Sequence, residues 1–128
     1  MSQDIAILVI DDMGLMRKIV RKQLAGLGFT NIIEAENGND GLAKLASARI
    51  DLILCDWNMP NMNGLDFLKS VKNDPKLKHI PFIMVTAERQ KVQVLAAVKA
   101  GASGYLAKPF TPESLKEQMD RVLLARKQ

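Results

Sequence analysis

The stretch Ile5-Ala6-Ile7-Leu8-Val9-Ile10-Asp11-Asp12 is an unbroken apolar run that ends in two adjacent carboxylates. Short runs of mostly branched apolar residues, without polar alternation, are typical of strands that are covered on both faces in a parallel sheet. Similar runs follow along the chain at residues 32–35, 52–55, 82–85 and 104–107. The sequence therefore predicts five buried parallel strands.

Longer amphipathic segments separate these runs and predict helices. The apolar stripe of the first helix ends before Gly28 and consists of Met16, Ile19, Val20, Leu24 and Leu27. Residues 89–100 predict a helix that stops at Gly101, and Thr111 and Pro112 predict the N-cap and first turn of a closing helix. The apolar stripe of that last helix consists of Leu115, Met119, Val122 and Leu123.

The alternation of strand and helix predicts an α/β fold, with helices on both faces of a doubly wound parallel sheet. Asn37-Gly38 and residues 58–64 are predicted to be turns, because Asn, Gly and Pro are concentrated there. With 128 residues, the sequence predicts a single domain over residues 1–128. No residues would then remain for an output domain, and we expect signals to leave through the surface.

Composition excludes several kinds of function. One cysteine, Cys55, and one histidine, His79, cannot form an internal disulfide or a Cys/His zinc site. No apolar run approaches the ~18 residues that a spanning helix needs, and no cationic region precedes residues 5–10. We therefore expect a cytoplasmic protein that does not bind a membrane.

The formal charge of +4 invites a nucleic-acid interpretation. Four of the basic residues, Arg17, Lys18, Arg21 and Lys22, lie opposite the apolar stripe of the first helix, without interleaved aromatic residues. A solvated helix face is the commoner meaning of such a pattern, and docking of a protein partner is an alternative. We expect no nucleic acid among the partners.

Polar residues follow the predicted strands at the edge where ligands bind in open parallel sheets. They are Asp11-Asp12 after the first strand, Asp56 after the third, Thr86 after the fourth and Lys108 after the fifth. Asp11-Asp12 could instead cap the first helix. Capping does not account for three carboxylates at one edge, since two carboxylates ~4 Å apart repel by about 4 kcal/mol at an effective dielectric near 20.

A divalent cation would relieve this repulsion. The available ligands are oxygens, which favours Mg²⁺, or Mn²⁺ in its place. Such an ion keeps positions for phosphate oxygens, and Lys108 and Thr86 could bind the same phosphate. Asp56 is then the candidate nucleophile for an aspartyl phosphate. Glycine-rich nucleotide loops are absent from the sequence, so the phosphoryl donor is expected to be another molecule.

The chain resembles the response-regulator receiver domains, and among them the CheY-like, stand-alone chemotaxis type. The matching segments are Asp11-Asp12, residues 56–64, residues 85–88, residues 101–105 and residues 108–111. The resemblance covers essentially the whole chain. It implies a flavodoxin-like sheet of order 2-1-3-4-5 with five helices.

The resemblance also implies a chemistry. Asp56 would accept a phosphoryl group from a sensor histidine kinase, and Asp12, Asp56 and the carbonyl of Asn58 would bind Mg²⁺, with Asp11 acting through water. Lys108, which would precede a cis peptide bond to Pro109, would bind the phosphoryl group.

Signalling residues follow from the same resemblance. Thr86 would move toward the phosphoryl group and Tyr105 would swing inward, while Asn58 and Glu88 would set the lifetime of the phosphate. The implied partners are the kinase, a flagellar motor switch protein or another effector, and a phosphatase, with the receiver itself monomeric. The protein would thus be a switch and not an enzyme in the usual sense.

Two departures from the chemotaxis pattern concern the partner. Met13-Gly14 stands where chemotaxis members have Phe-Ser, and Gln118 stands where they often have lysine. A receiver of a different phosphorelay therefore remains an alternative, and so does a Mg²⁺-dependent phosphoester hydrolase. The hydrolase is less well supported, because Trp57 and Asn58 follow Asp56 where such enzymes commonly carry a second carboxylate.

Overall fold

Strands and helices alternate along the chain in the computed structural model, which describes residues 4–87 and 91–126. The elements are β1 (Ile7–Ile10), α1 (Gly14–Gly26), β2 (Ile32–Ala35), α2 (Gly38–Ser47), β3 (Leu52–Asp56), α3 (Gly64–Lys72), β4 (Phe82–Thr86), α4 (Lys91–Ala100), β5 (Gly104–Ala107) and α5 (Pro112–Arg126). No helix within these residues is both long and apolar enough to cross a bilayer.

The five strands form one parallel sheet of order β2-β1-β3-β4-β5, as predicted. The three inner strands are buried along their whole length, whereas the edge strands β2 and β5 are only partly buried. β3 and β4 run one residue further than predicted and end in Asp56 and Thr86. Two polar residues of the candidate site therefore belong to strands and are held by the sheet itself.

β1 is shorter than its apolar run, since it begins at Ile7 and not at Ile5. Ile7 is the first residue with partners on both sides, Ile32 of β2 and Leu52 of β3. Ile5 is only half-buried and packs at the margin of the core. The apolar run extends beyond the strand because Ile5 still covers part of the core, although it lies before the first paired residue of β1.

The core consists of one apolar layer on each face of the sheet. Alternate residues of each inner strand point to opposite faces. On one face, Leu8, Ile53 and Phe82 pack with residues of α2, α3 and α4. On the other face, Val9 and Leu54 pack with residues of α1 and α5. This arrangement confirms the predicted covering of both faces.

The two segments predicted as turns are non-helical up to Asn37 and Asn63, and each leads directly into a helix that this Asn caps. Asn37 is the N-cap of α2 and accepts a hydrogen bond from the amide of Asp40 at 2.7 Å. Asn63 caps α3 in the same way, through the amide of Asp66 at 2.8 Å. An Asn-Gly pair supports either a turn or a cap, because the Asn side chain can bind a nearby amide in both.

The predicted ends of the later helices agree with the structure. Gly101 follows α4 with a φ of +107°, and Thr111 accepts a hydrogen bond from the amide of Ser114 at the start of α5. The apolar residues predicted for α5, Leu115, Met119, Val122 and Leu123, are buried. The predicted start of the preceding helix, Arg89, lies outside the described residues.

The prediction for α1 is wrong in part. Val20 and Leu24 are buried, but Ile19 is 41% exposed. Val20 and Leu24 lie four residues apart on one line, whereas Ile19 points about 100° to the side of Val20. A single narrow line of α1 therefore contacts the sheet.

Candidate functional site

Three carboxylates meet at the carboxyl edge of the sheet. Asp11 and Asp12 directly follow β1, and Asp56 ends the adjacent strand β3. One oxygen from each lies within 4.8 Å of the others. Asp11 and Asp56 are buried, while Asp12 is exposed. The cluster is therefore open to solvent at Asp12.

Lys108 supplies the positive charge of this cluster. Its Nζ lies 3.0 Å from Asp11 Oδ2 and 3.0 Å from Asp56 Oδ1. The lysine follows β5, which is separated from β3 by β4, and its long side chain bridges that distance. The peptide bond from Lys108 to Pro109 is cis, which confirms the prediction.

Burial and neighbouring charges shift the proton affinities at this edge. Burial raises the pKa of Asp56, and the carboxylates of Asp11 and Asp12 raise it further, against the opposing effect of Lys108. For Lys108, burial alone would lower the pKa, but bonds to Asp56 and Asp11 raise it overall. Lys108 is therefore a firmly protonated cation, and Asp56 holds its negative charge at a cost in free energy.

The cluster fits a hard divalent cation. Its candidate ligands are carboxylate oxygens, which Mg²⁺ prefers, and the exposed side of Asp12 leaves room for water or phosphate. Within the described part of the chain, Lys108 pairs with two of the three carboxylates, so a further positive charge would lower the electrostatic energy of the site. The residues at this edge are thus able to hold a metal ion.

Cys55 is adjacent to the cluster but faces the core. The thiol is fully buried and unpaired with another cysteine, and burial raises its pKa well above the ordinary value. A neutral buried thiol is a poor nucleophile. Cys55 therefore acts as a small core residue beside the site, as expected.

Thr86 lies at the same edge as the carboxylates. It is completely buried at the end of β4, and its carbonyl accepts a hydrogen bond from the amide of Lys108 at 2.8 Å. Thr86 also pairs in register with Ala107, the last residue of β5. The strand ends that carry Thr86 and Lys108 are therefore joined directly.

Two of the remaining predicted residues, Asn58 and Tyr105, lie in the described part of the chain, and one does not. Asn58 is exposed in the loop after β3. Tyr105 is half-buried within β5, three positions before Lys108, and packs against the core layer under α2, α3 and α4. Glu88, predicted to affect the lifetime of the phosphate, lies outside the described residues.

The helix-capping interpretation of Asp11-Asp12 is wrong. The N-cap position of α1 is occupied by Met13, whose side chain makes no capping hydrogen bond. Asp11 Oδ1 instead accepts a hydrogen bond from the Met13 amide at 2.9 Å, and its Oδ2 binds Lys108. One extended residue after the carboxylates lets both aspartates remain at the sheet edge before the helix begins.

The basic face of α1 differs from its prediction. Lys18 and Lys22 are exposed, as expected, but the side chain of Arg17 is only 19% exposed. Arg17 and Arg21 both pair with Glu34, at 3.0 Å and 2.8 Å. Sequence inspection missed this contact, although the strand order 2-1-3-4-5 places Glu34 of β2 next to β1 and could have revealed it.

Gly64 is a second residue that sequence inspection missed. A Cβ atom at this position would lie 2.5 Å from the carbonyl oxygen of Asp56 and 2.8 Å from Trp57 Cα. The Gly64 amide donates to the carbonyl of Trp57 at 2.7 Å. The start of α3 is thus packed against the backbone that carries the central carboxylate.

Comparisons with known proteins point to one family. The family model described as response regulator receiver domain matches residues 7–120. The chemotaxis protein CheY of Pseudomonas aeruginosa is 46% identical over 116 residues, covering 91% of this chain and 94% of that protein. The chemotaxis protein CheY-3 of Vibrio cholerae is 43% identical over 122 residues, covering 95% of this chain and 94% of that protein.

Solved structures agree with the sequence relatives. The chemotaxis protein CheY4 of Vibrio cholerae matches with a TM-score of 0.87 at 35% identity, covering 93% of this chain and 98% of that chain. A CheY-like receiver domain protein of Methanospirillum hungatei matches with a TM-score of 0.87 at 26% identity, covering 97% of each chain.

Proposed function

We propose, because this chain belongs to the response regulator receiver domain family, that it is a phosphoacceptor switch whose acceptor is Asp56. The observation that carries the proposal is the double ion pair of Lys108 with Asp11 and Asp56 inside a cluster of three carboxylates. The site surrounds the buried carboxylate of Asp56 with the negative charge of Asp11 and Asp12 and places the ammonium group of Lys108 beside it. This arrangement suits attack on a phosphoryl group.

In the proposed reaction, one oxygen of Asp56 attacks the phosphorus of a phosphohistidine on a sensor kinase. A P–O bond forms and the P–N bond breaks, the electron pair stays on the imidazole nitrogen, and no oxidant or reductant is needed. Lys108 stabilises the negative charge of the transferred group. Mg²⁺, held by Asp12, Asp56 and the carbonyl of Asn58 with Asp11 acting through water, would neutralise the phosphoryl oxygens.

The switch then follows from charge. An aspartyl phosphate adds negative charge beside Lys108 and Thr86, whose main chains are joined by the hydrogen bond from the Lys108 amide to the Thr86 carbonyl. A shift of Thr86 toward the phosphate would leave free space next to β4 and β5, and the Tyr105 side chain would move inward to fill it. A useful coupling between the two places is of order 1–3 kcal/mol. We assign Asn58 and Glu88 to the control of hydrolysis.

The first experiment incubates the protein and the variant Asp56→Asn with an acyl phosphate and Mg²⁺. Intact-protein mass spectrometry should detect one added phosphoryl group on the natural protein and none on the variant. The variant Asp51→Asn is the matched control, because Asp51 is also buried but lies at the other end of β3, and we expect it to be phosphorylated. Uptake of phosphate by Asp56→Asn would contradict the assignment.

The same assay separates a switch from a hydrolase. A switch should turn over phosphoesters no faster than its own aspartyl phosphate decays. Turnover of a phosphoester that clearly exceeds this decay would favour the hydrolase.

The finer proposal concerns the partners. Two relatives are chemotaxis proteins, and we propose that this protein is a cytoplasmic, monomeric regulator that passes a kinase signal to the flagellar motor switch. Pull-down with Mg²⁺-loaded protein, with and without beryllium fluoride as a phosphate mimic, tests this. Recovery of motor switch components only with the mimic would support chemotaxis, whereas recovery of a different effector would assign the protein to another phosphorelay.

A further inference from the structure

Arg17 connects the acidic cluster to the edge strand of the sheet. Its Nη1 donates to the carbonyl oxygen of Asp11 at 2.6 Å, and its Nε donates to Glu34 Oε1 at 3.0 Å. The guanidinium group is planar and has fixed donor directions, so two simultaneous bonds define its position. Arg17 therefore holds the peptide group between Asp11 and Asp12.

Glu34 is a firm anchor for this contact. It lies on β2 in register with Val9 of β1, and its second carboxylate oxygen accepts a hydrogen bond from Arg21 at 2.8 Å. Its carbonyl also accepts a hydrogen bond from Lys44 at 3.1 Å. Because Glu34 is fixed through its main chain and its side chain, it can orient Arg17.

The Asp11 peptide is thus held from several directions. The Asp11 amide donates to the carbonyl of Ala35 at 3.2 Å, the carbonyl accepts from Arg17, and the side chain accepts from the amide of Met13. Arg17 is the contact that fixes the carbonyl, and that carbonyl belongs to the peptide leading into Asp12. The direction in which Asp12 presents its carboxylate depends on this peptide plane.

We propose that Arg17 is a positioning residue of the metal site, which it serves by fixing the peptide plane between Asp11 and Asp12. This inference deepens the proposed function, on which it rests. It makes a prediction whose sign is opposite to that of simple electrostatics. Removing a positive charge near a cation site should strengthen cation binding, whereas loss of a positioning contact should weaken it.

Arg21 provides a matched control. It is an arginine on the same helix and pairs with the same Glu34, but it donates its other hydrogen bond to the carbonyl of Ile32, at 3.4 Å, and not to Asp11. Arg17→Ala and Arg21→Ala therefore remove the same charge and the same anchor partner. Only the first removes the contact with the Asp11 carbonyl.

The experiment titrates Mg²⁺ into each protein without a phosphoryl donor and follows the fluorescence of Trp57, which is adjacent to Asp56. We expect Arg17→Ala to weaken Mg²⁺ binding about tenfold. Arg21→Ala should leave it unchanged or strengthen it slightly. Arg17→Lys should remain weakened, since lysine restores the charge but not the paired donors.

A second measurement does not depend on the metal. Hydrogen exchange at the amides of Asp12 and Met13, in metal-free protein, should speed up in Arg17→Ala and not in Arg21→Ala. Unchanged or tighter Mg²⁺ binding by Arg17→Ala, or equal exchange in the two variants, would overturn the inference. If Arg17→Ala fails to fold, Glu34→Gln, which weakens the anchor, should speed up the same amide exchange in metal-free protein more mildly, and unchanged exchange in this variant would overturn the inference.

Failure of the proposed function gives a different result. Natural protein that binds Mg²⁺ but takes up no phosphoryl group would refute the switch and leave the role of Arg17 intact. Natural protein that is phosphorylated while Arg17→Ala binds Mg²⁺ normally would refute only the role of Arg17.

Discussion

Strand β3 has a buried aspartate at each end, and the two residues are in opposite situations. Asp51 precedes the strand and Asp56 ends it, with 7% and 6% of their surfaces exposed. Asp51 accepts a hydrogen bond from the amide of Ala6 at 2.9 Å and ties the start of β1 to β3. Asp56 has two further carboxylates beside it. A buried carboxylate therefore indicates a chemical site only when neighbouring groups of the same charge make its ionised form unfavourable.

The cations that accompany the two aspartates differ in the same way. The side chain of Arg49, 3.3 Å from Asp51, is 85% exposed, whereas that of Lys108, between Asp56 and Asp11, is 18% exposed. Exposed pairs are screened by water and contribute little, but a half-buried cation between two buried anions cannot be removed without leaving them uncompensated. Substitutions at four positions test this contrast.

Lys108→Ala should have the largest effect. It leaves Asp11 and Asp56 without their cation, and we expect the free energy of unfolding to fall by about 3 kcal/mol at pH 7 without divalent ions. Mg²⁺ should then stabilise the variant more than it stabilises the natural protein, because the ion takes over the missing charge. Urea denaturation with and without Mg²⁺ measures both quantities. A variant as stable as the natural protein would contradict the contrast.

Asp51→Ala should come next, with a loss of about 2 kcal/mol, because the amide of Ala6 is then buried without its acceptor. Asp51→Asn is the control, since its amide oxygen can still accept that bond, and it should lose less. Neither substitution should alter Mg²⁺ binding at the opposite edge. A change in Mg²⁺ affinity in either variant would show that the two edges are coupled.

Asp56→Asn should change stability in the opposite direction. Because burial and the neighbouring carboxylates make the charged form of Asp56 unfavourable, we expect the metal-free variant to gain about 1 kcal/mol at pH 7. Loss of stability in this variant would mean that the ion pair with Lys108 outweighs the repulsion.

The gain should also depend on pH in a defined sense. The folded pKa of Asp56 lies above its ordinary value of 3.8, so the folded state binds this proton more tightly than the unfolded state does. Its contribution to stability is complete below the unfolded pKa and is lost as the pH rises through the folded pKa. The advantage of Asp56→Asn should therefore be smallest in acid and grow from about pH 4 upward. A difference that shrinks with rising pH would contradict this cause.

Arg49→Ala should have the smallest effect, below about 0.5 kcal/mol, because its pair with Asp51 is exposed on the arginine side. High salt should reduce this value further, because it screens exposed charges. A loss comparable to that of Lys108→Ala would remove the distinction between the two edges.

Much of this molecule could be predicted from its sequence, because a buried parallel strand has a clear pattern. The order of the strands came from family resemblance, and the sheet confirmed it. The convergence of Asp11, Asp56 and Lys108 followed from their places at the carboxyl ends of the parallel strands β1, β3 and β5. Hydrophobic periodicity could not predict side-chain contacts that depend on three-dimensional geometry. The ion pair of Arg17 with Glu34, which turns the arginine away from solvent, is an example.

Helix starts show the same limit. Asn37 and Asn63 were predicted to lie in turns, since the sequence cannot tell whether an Asn side chain caps a helix or closes a loop. Gly64 carries no distinctive local pattern either. Only the structure shows why glycine is required at this position. The carbonyl oxygen of Asp56 lies 2.5 Å from the place that a Cβ atom of residue 64 would occupy.

The bond between Lys108 and Asp11 joins residues that are 97 positions apart. A ribosome releases the carboxylates of Asp11, Asp12 and Asp56 well before it releases Lys108. Until β5 has been synthesised, the growing chain has the acidic cluster without the lysine that offsets it. The docking of the last strand therefore completes the sheet and the charge balance of the site in one event, so that a chain truncated before β5 lacks both.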